Sequence, residues 1–78
     1  MLGKPQYNYG DVVKFRLGTD IEVGVIAIID KFGTFESNKD VSYDILNKEK
    51  NILFKHISEG FVFEKIDEIP KEDIWKIK

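Results

Sequence analysis

His56 is the only side chain here whose ordinary pKa lies near neutrality, and Glu59 follows it by three residues. A histidine and a carboxylate at that spacing could pass a proton in general acid–base catalysis. A histidine at the start of a tight turn has a plainer use, hydrogen bonding backbone groups that the turn leaves unpaired, and this is the better reading. No serine or threonine sits in a nucleophile motif, and there is no cysteine, so neither a triad nor a thiolate is in view. Asp30, Glu36, Asp40 and Asp44 could converge on a hard cation if neighbouring loops met, but they lack calcium-loop spacing. Gly10, Gly18, Gly24 and Gly33 are scattered through turns rather than gathered before a helix, so no phosphate cradle is expected. The expectation is a protein without catalytic residues, metal or cofactor.

Aromatic residues make up 13% of the chain, enough for a stacking platform or an aromatic cage. Phe15, Tyr43, Phe54, Phe61 and Phe63 fall on apolar runs and are assigned mainly to the core. Phe32 and Phe35 flank a turn, and Tyr7 and Tyr9 precede the first strand, so these four are expected to be exposed. Trp75 is expected to cover an open end of the fold, with anchoring of another chain as the alternative. Residues 64–73 hold five acids against two lysines, and Glu72 and Asp73 beside Trp75 form an acidic strip. Phe32, Phe35, Trp75, Glu72 and Asp73 are therefore the candidate partner-binding residues.

These side chains hang on short alternating runs. Val13, Phe15 and Leu17 alternate with Lys14 and Arg16 in a strand over 12–17, and a connection at 18–20 leads to a strand over 21–29. Its core face is read as Ile21, Val23, Val25, Ala27 and Ile29, with Gly24 marking a bulge or bend and the far end covered on both sides. A turn at 30–33 and a hairpin to 34–36 come next, then 41–46, where Val41, Tyr43 and Ile45 alternate with polar residues. A polar loop at 47–51 leads to a strand over 52–55. Residues 56–60 suit a single helical turn, and 61–66 form the closing strand. Pro70 followed by Glu72 and Asp73 resembles the start of a helix, but too few residues remain, so one turn and an extended tail are expected. The predicted core is Val13, Phe15, Leu17, Val23, Val25, Ala27, Tyr43, Ile45, Leu53, Phe61 and Phe63.

The composition bounds the function. Seventy-eight residues with 42% hydrophobic and 33% charged content give one domain, 1–78, with a barrel over about 9–66 and a tail over 67–78. A chain this size buries only about 60% of its unfolded surface, which favours a binding surface over an interior catalytic pocket. The net charge of −2 and a pI near 5.3 argue against phosphate-backbone binding. Neither half is a basic arm: residues 1–40 carry five Lys/Arg against six Asp/Glu, and 41–78 carry seven against eight. Residues 1–6 lack the apolar stretch of a signal peptide, and the run 25–29 is far too short to span a bilayer. With no cysteine, a cytoplasmic protein is expected, without a membrane association.

Five short strands, a Gly10-Asp11 opening, a bent second strand and one tight turn before the last strand resemble the SH3-like small barrels, which include Tudor and KOW-type modules. The resemblance covers residues 9–66 and implies an all-β, five-stranded antiparallel barrel. The chain is also similar to small proteins of phages and mobile elements of Gram-positive bacteria in the phrases Asp30-Lys31-Phe32-Gly33-Thr34-Phe35-Glu36, Ser42-Tyr43-Asp44-Ile45 and Phe54-Lys55-His56-Ile57. The loop aromatics and the acidic C-terminal region point to a small non-enzymatic protein-binding module, expected as a monomer or weak homodimer, and the similarity implies only that the surface it occupies would be a host protein's. The alternative is a barrel that binds single-stranded nucleic acid with Lys14, Arg16, Lys31 and Lys55 on one face and Phe32 or Phe35 for stacking.

Overall fold

The computed structural model describes residues 5–30 and 41–76. It is all-β, with strands β1 (Asp11–Leu17), β2 (Asp20–Asp30), β3 (Ser42–Asn47), β4 (Ile52–Ser58) and β5 (Val62–Glu68) and 3₁₀ turns at Glu59–Phe61 and Lys71–Asp73. All five strands lie in one antiparallel sheet of order β4-β3-β2-β1-β5. The proposed hairpin at 34–36, together with Lys31, Phe32, Phe35, Glu36 and Asp40, lies outside the described residues.

The sheet is open, with β4 and β5 at its edges, and its two faces are packed differently. On the inner face Val13, Phe15, Ile26, Val41, Tyr43, Ile45, Ile57 and Val62 form one buried cluster. Phe15 of β1 meets Phe54 of β4 edge-on at 5.3 Å, although two strands separate them in the sheet. That contact requires strong curvature, as does the sharing of one core by Ile57 and Val62 from the two edge strands. On the outer face Val25, Ala27 and Ile74 form a second buried cluster, with Tyr9, Val12, Leu46, Leu53 and Ile69 packed around it.

Two faces, each partly apolar, account for the errors in the predicted core. The connection between β1 and β2 is a two-residue loop, so Leu17 stands opposite Asp20 and Phe15 opposite Glu22. A three-residue loop would have paired Leu17 with Ile21, and a slip of one residue moves every side chain to the other face. Val25 and Ala27 are buried as expected, but on the outer face. Val23 is exposed there, Leu17 is exposed at the strand end, and Ile26 takes the inner position. The irregularity in β2 lies between Ile26 and Ile28, not at Gly24. Gly24 is demanded by close packing: a Cβ there would lie 2.6 Å from Ile45 Cγ2 and 2.9 Å from the Leu46 carbonyl oxygen.

The last strand is also out of phase with its simple alternation. β5 runs past two register shifts against β1, which leave Phe63 and Ile66 as extra residues between paired ones. Val62 points into the core, while Phe61 and Phe63 remain 53% and 48% exposed. Leu53 is half-buried in the outer cluster rather than in the main core.

The C-terminal segment as described is not an extended strand. Strand β5 absorbs residues 67 and 68, and the 3₁₀ turn after Pro70 swings Ile74 onto Val25 and Ala27. The anchor is Gly10 at φ 90°, whose carbonyl accepts the Ile69 N–H at 2.8 Å. A Cβ on Gly10 would lie 2.2 Å from the Ile69 carbonyl oxygen, so only glycine lets the N-terminal segment and the tail cross there.

Candidate functional site

His56 sits in a bulge of β4, three residues before the helical turn that was expected to start with it. Tyr43 pairs with Ile57 and Ile45 with Phe54, so β4 carries an extra residue, and His56 takes φ 59°. Its backbone N–H donates to Asp44 Oδ1 at 3.0 Å. The histidine therefore serves through its own amide, capped by a carboxylate on the neighbouring strand, and not by its ring bonding an open turn.

Glu59, its imagined partner in proton transfer, is committed elsewhere. One carboxylate oxygen accepts hydrogen bonds from the Tyr43 hydroxyl and from the Gln6 backbone N–H, the latter at 2.8 Å. The Tyr7 N–H donates to the Tyr43 hydroxyl oxygen at 3.3 Å, and the Tyr7 ring stands edge-on to Tyr43 at 6.0 Å. Burial, then the hydrogen bond to Glu59, pushes the Tyr43 phenol well above the usual tyrosine range. These contacts tie the N-terminal segment across one end of the core. The Tyr43–Glu59 contact was not foreseen, and no local spacing signals it because the two residues lie on different elements.

Among the described residues the other carboxylates do not assemble. Asp44 caps the β4 bulge, Asp30 stands opposite Ser42, and Glu36 and Asp40 lie outside the described residues. Among the described residues no group of three or more His, Asp or Glu side chains is placed to hold a metal ion. Asp11 is buried, accepting from the Asn8 N–H at 2.9 Å and pairing with Lys65 at 3.3 Å. Hydrogen bonds to Glu68 and then Asp11 hold the Lys65 ammonium above its ordinary pKa.

The candidate partner-binding residues divide. Phe32 and Phe35 lie outside the described residues. Glu72 is exposed, and Asp73 is half-buried, its carboxylate on Lys76 at 2.8 Å and its carbonyl accepting from Lys48 Nζ at 2.6 Å. Trp75 is 55% exposed, so it does not cover the end of the fold; the neighbouring Ile74 is the buried residue of the tail. Tyr7 and Tyr9, expected in solvent, are half-buried, Tyr7 against the inner core and Tyr9 beneath Lys71 Nζ at 4.6 Å.

The residues of the nucleic-acid alternative do not share one face of the sheet at close quarters. Lys14 and Arg16 stand on β1, opposite Val23 and Ile21, while Lys55 is on β4, which β2 and β3 separate from β1 in the sheet. Lys31 lies outside the described residues. Lys14 also approaches Glu64 at 3.8 Å, which offsets part of its charge. No helix among the described residues is long and apolar enough to cross a membrane.

No protein-family model, no curated protein and no solved structure matches this chain.

Proposed function

We propose that this chain is a small, non-enzymatic protein-binding module built as an SH3-like barrel, a phage or mobile-element protein that acts in the cytoplasm by occupying the surface of a host protein. The barrel reading is supported by the strand order, the 3₁₀ turn between β4 and β5, and the shared core of the two edge strands. The binding reading is carried by one observation: large apolar side chains stand exposed on ordered strands and on the docked tail. Phe61, Phe63 and Ile66 are exposed along β5 and its approach, Ile21 and Val23 on the outer face, and Trp75 beside exposed Glu72. Single exposed apolar residues are ordinary, but several on rigid elements, interleaved with charge, suit a surface that another protein covers.

The test is capture of partners from host lysate on the immobilised full chain, with and without nuclease. Retention of a discrete protein after nuclease treatment supports the reading. Retention that vanishes with nuclease favours single-stranded nucleic acid instead.

A further inference from the structure

The outer face of the sheet is divided in two. One half lies beneath the chain's own tail, where Ile69 and Ile74 pack with Val12, Val25, Ala27, Leu46 and Leu53. Among the described residues the other half is uncovered. There Lys14 stands directly across from Val23, and Arg16 directly across from Ile21, so two cations on β1 run beside two aliphatic side chains on β2. Ile21 is 58% and Val23 37% exposed. Lys14 shares its charge with Glu64, whereas exposed Arg16 has no ion pair among the described residues.

We propose that this bare half binds an extended segment of another protein in which carboxylates alternate with branched aliphatic residues. The inference rests on the protein-binding reading above and gives it a surface and a partner chemistry. Lys14 and Arg16 are two residues apart, as are Ile21 and Val23, so each column repeats at about 6.6 Å, twice the rise of an extended chain. A peptide laid along the strands throws successive side chains to opposite sides with that same repeat. Its acids meet the cations, and its aliphatic residues meet Ile21 and Val23. The planar fork of Arg16 suits a carboxylate in two-point contact.

The chain's own tail covers the neighbouring part of this face with aliphatic side chains, Ile69 and Ile74, carried around a 3₁₀ turn and not on an extended segment. Between Ile69 and Ile74 it carries Glu72 and Asp73, and a lysine, Lys48, holds its backbone at the Asp73 carbonyl. Nucleic acid fits the uncovered half less well, because aliphatic rather than aromatic side chains flank the cations.

The experiment is selection of a random-peptide phage library on the immobilised full chain, followed by titration of the selected peptides and an oligo-dT strand into the ¹⁵N-labelled protein. The expected peptides are rich in Asp/Glu alternating with Ile, Val or Leu, and they shift the amides of Lys14, Arg16, Ile21 and Val23. Arg16→Glu, with a melting curve matching the parent, should weaken them about tenfold or more, the scale of a charge-assisted hydrogen bond. Peptides that bind but shift Phe61, Phe63 or Trp75 overturn this surface and leave the protein-binding reading standing. Stronger binding of oligo-dT, or shifts that instead follow protein concentration as one copy meets another, overturn the proposed partner. Recovery of no binding peptide overturns the surface, and the lysate capture then decides separately whether the protein-binding reading survives.

Discussion

The inner and outer faces of this sheet are built from the same alternating strands, yet they are finished differently. Curvature completes the inner face: β1 and β4 meet across the interior through Phe15 and Phe54, and both edge strands contribute to one cluster. The outer face is convex, so the sheet does not fold over its apolar residues, and they need a cover from elsewhere in the chain. The tail supplies that cover over Val25 and Ala27 and stops short of Val23 and Ile21. The larger core thus lies on one face, while the other leaves Val23 and Ile21 exposed among the described residues.

The largest effect that separates the faces is expected at the centre of the inner one. Phe15→Ala removes a fully buried ring and should cost about 3 to 5 kcal/mol, enough to threaten the whole domain in an equilibrium melt. A loss within about 0.5 kcal/mol of zero would show that the inner face has been misplaced.

Ile74→Ala makes the matching change outside. Its side chain is as well buried, but the tail can shift to fill the space, so a smaller cost of about 2 to 3 kcal/mol is expected. The loss should be local. Tail amides and the fluorescence of Trp75, the only tryptophan, should report release while the sheet stays folded. Unfolding of the sheet together with the tail would merge the two faces into one cooperative unit.

A third, smaller effect tests the polar tie at the rim of the inner core. Tyr43→Phe removes the hydroxyl that donates to Glu59 and should cost about 1.5 kcal/mol at neutral pH. The phenol's pKa is raised on folding, so its contribution is complete below the ordinary tyrosine value of about 10 and is lost as pH climbs above it. Lys65, also shifted upward, titrates in the same direction, so the comparison with Tyr43→Phe isolates the phenol. The parent's stability should fall more steeply above that pH than the variant's; parallel curves would remove the hydroxyl from any role in the tie.

Part of this division was legible in the sequence. The alternation over 12–17 and 41–46 follows from period-two patterning. A single helical turn before the last strand was also expected, three residues too early, and the double covering expected at β2's far end is confined to residues 24–27, with Ile28 42% exposed. What was not legible came from one-residue events. Whether the β1–β2 loop holds two residues or three decides which face Val23 sees, and the sequence Gly18-Thr19-Asp20 suits both. The bulges at His56, Phe63 and Ile66 depend on the partner strand, so alternation within β4 or β5 does not show them. At the candidate site, the exposure of Trp75 was legible only as one of two readings. The cation and aliphatic columns were hidden because they form across two strands whose register was read one residue out of phase.

Arg16→Glu/Ile21→Glu in one protein separates folding from contact most directly, with denaturant unfolding and binding of a selected acidic peptide measured on the same sample. Stability within about 0.5 kcal/mol of the parent, together with loss of peptide binding, is the result expected if the bare half of the outer face is a contact surface and not part of the fold. A large fall in stability, or peptide binding undiminished, would contradict it.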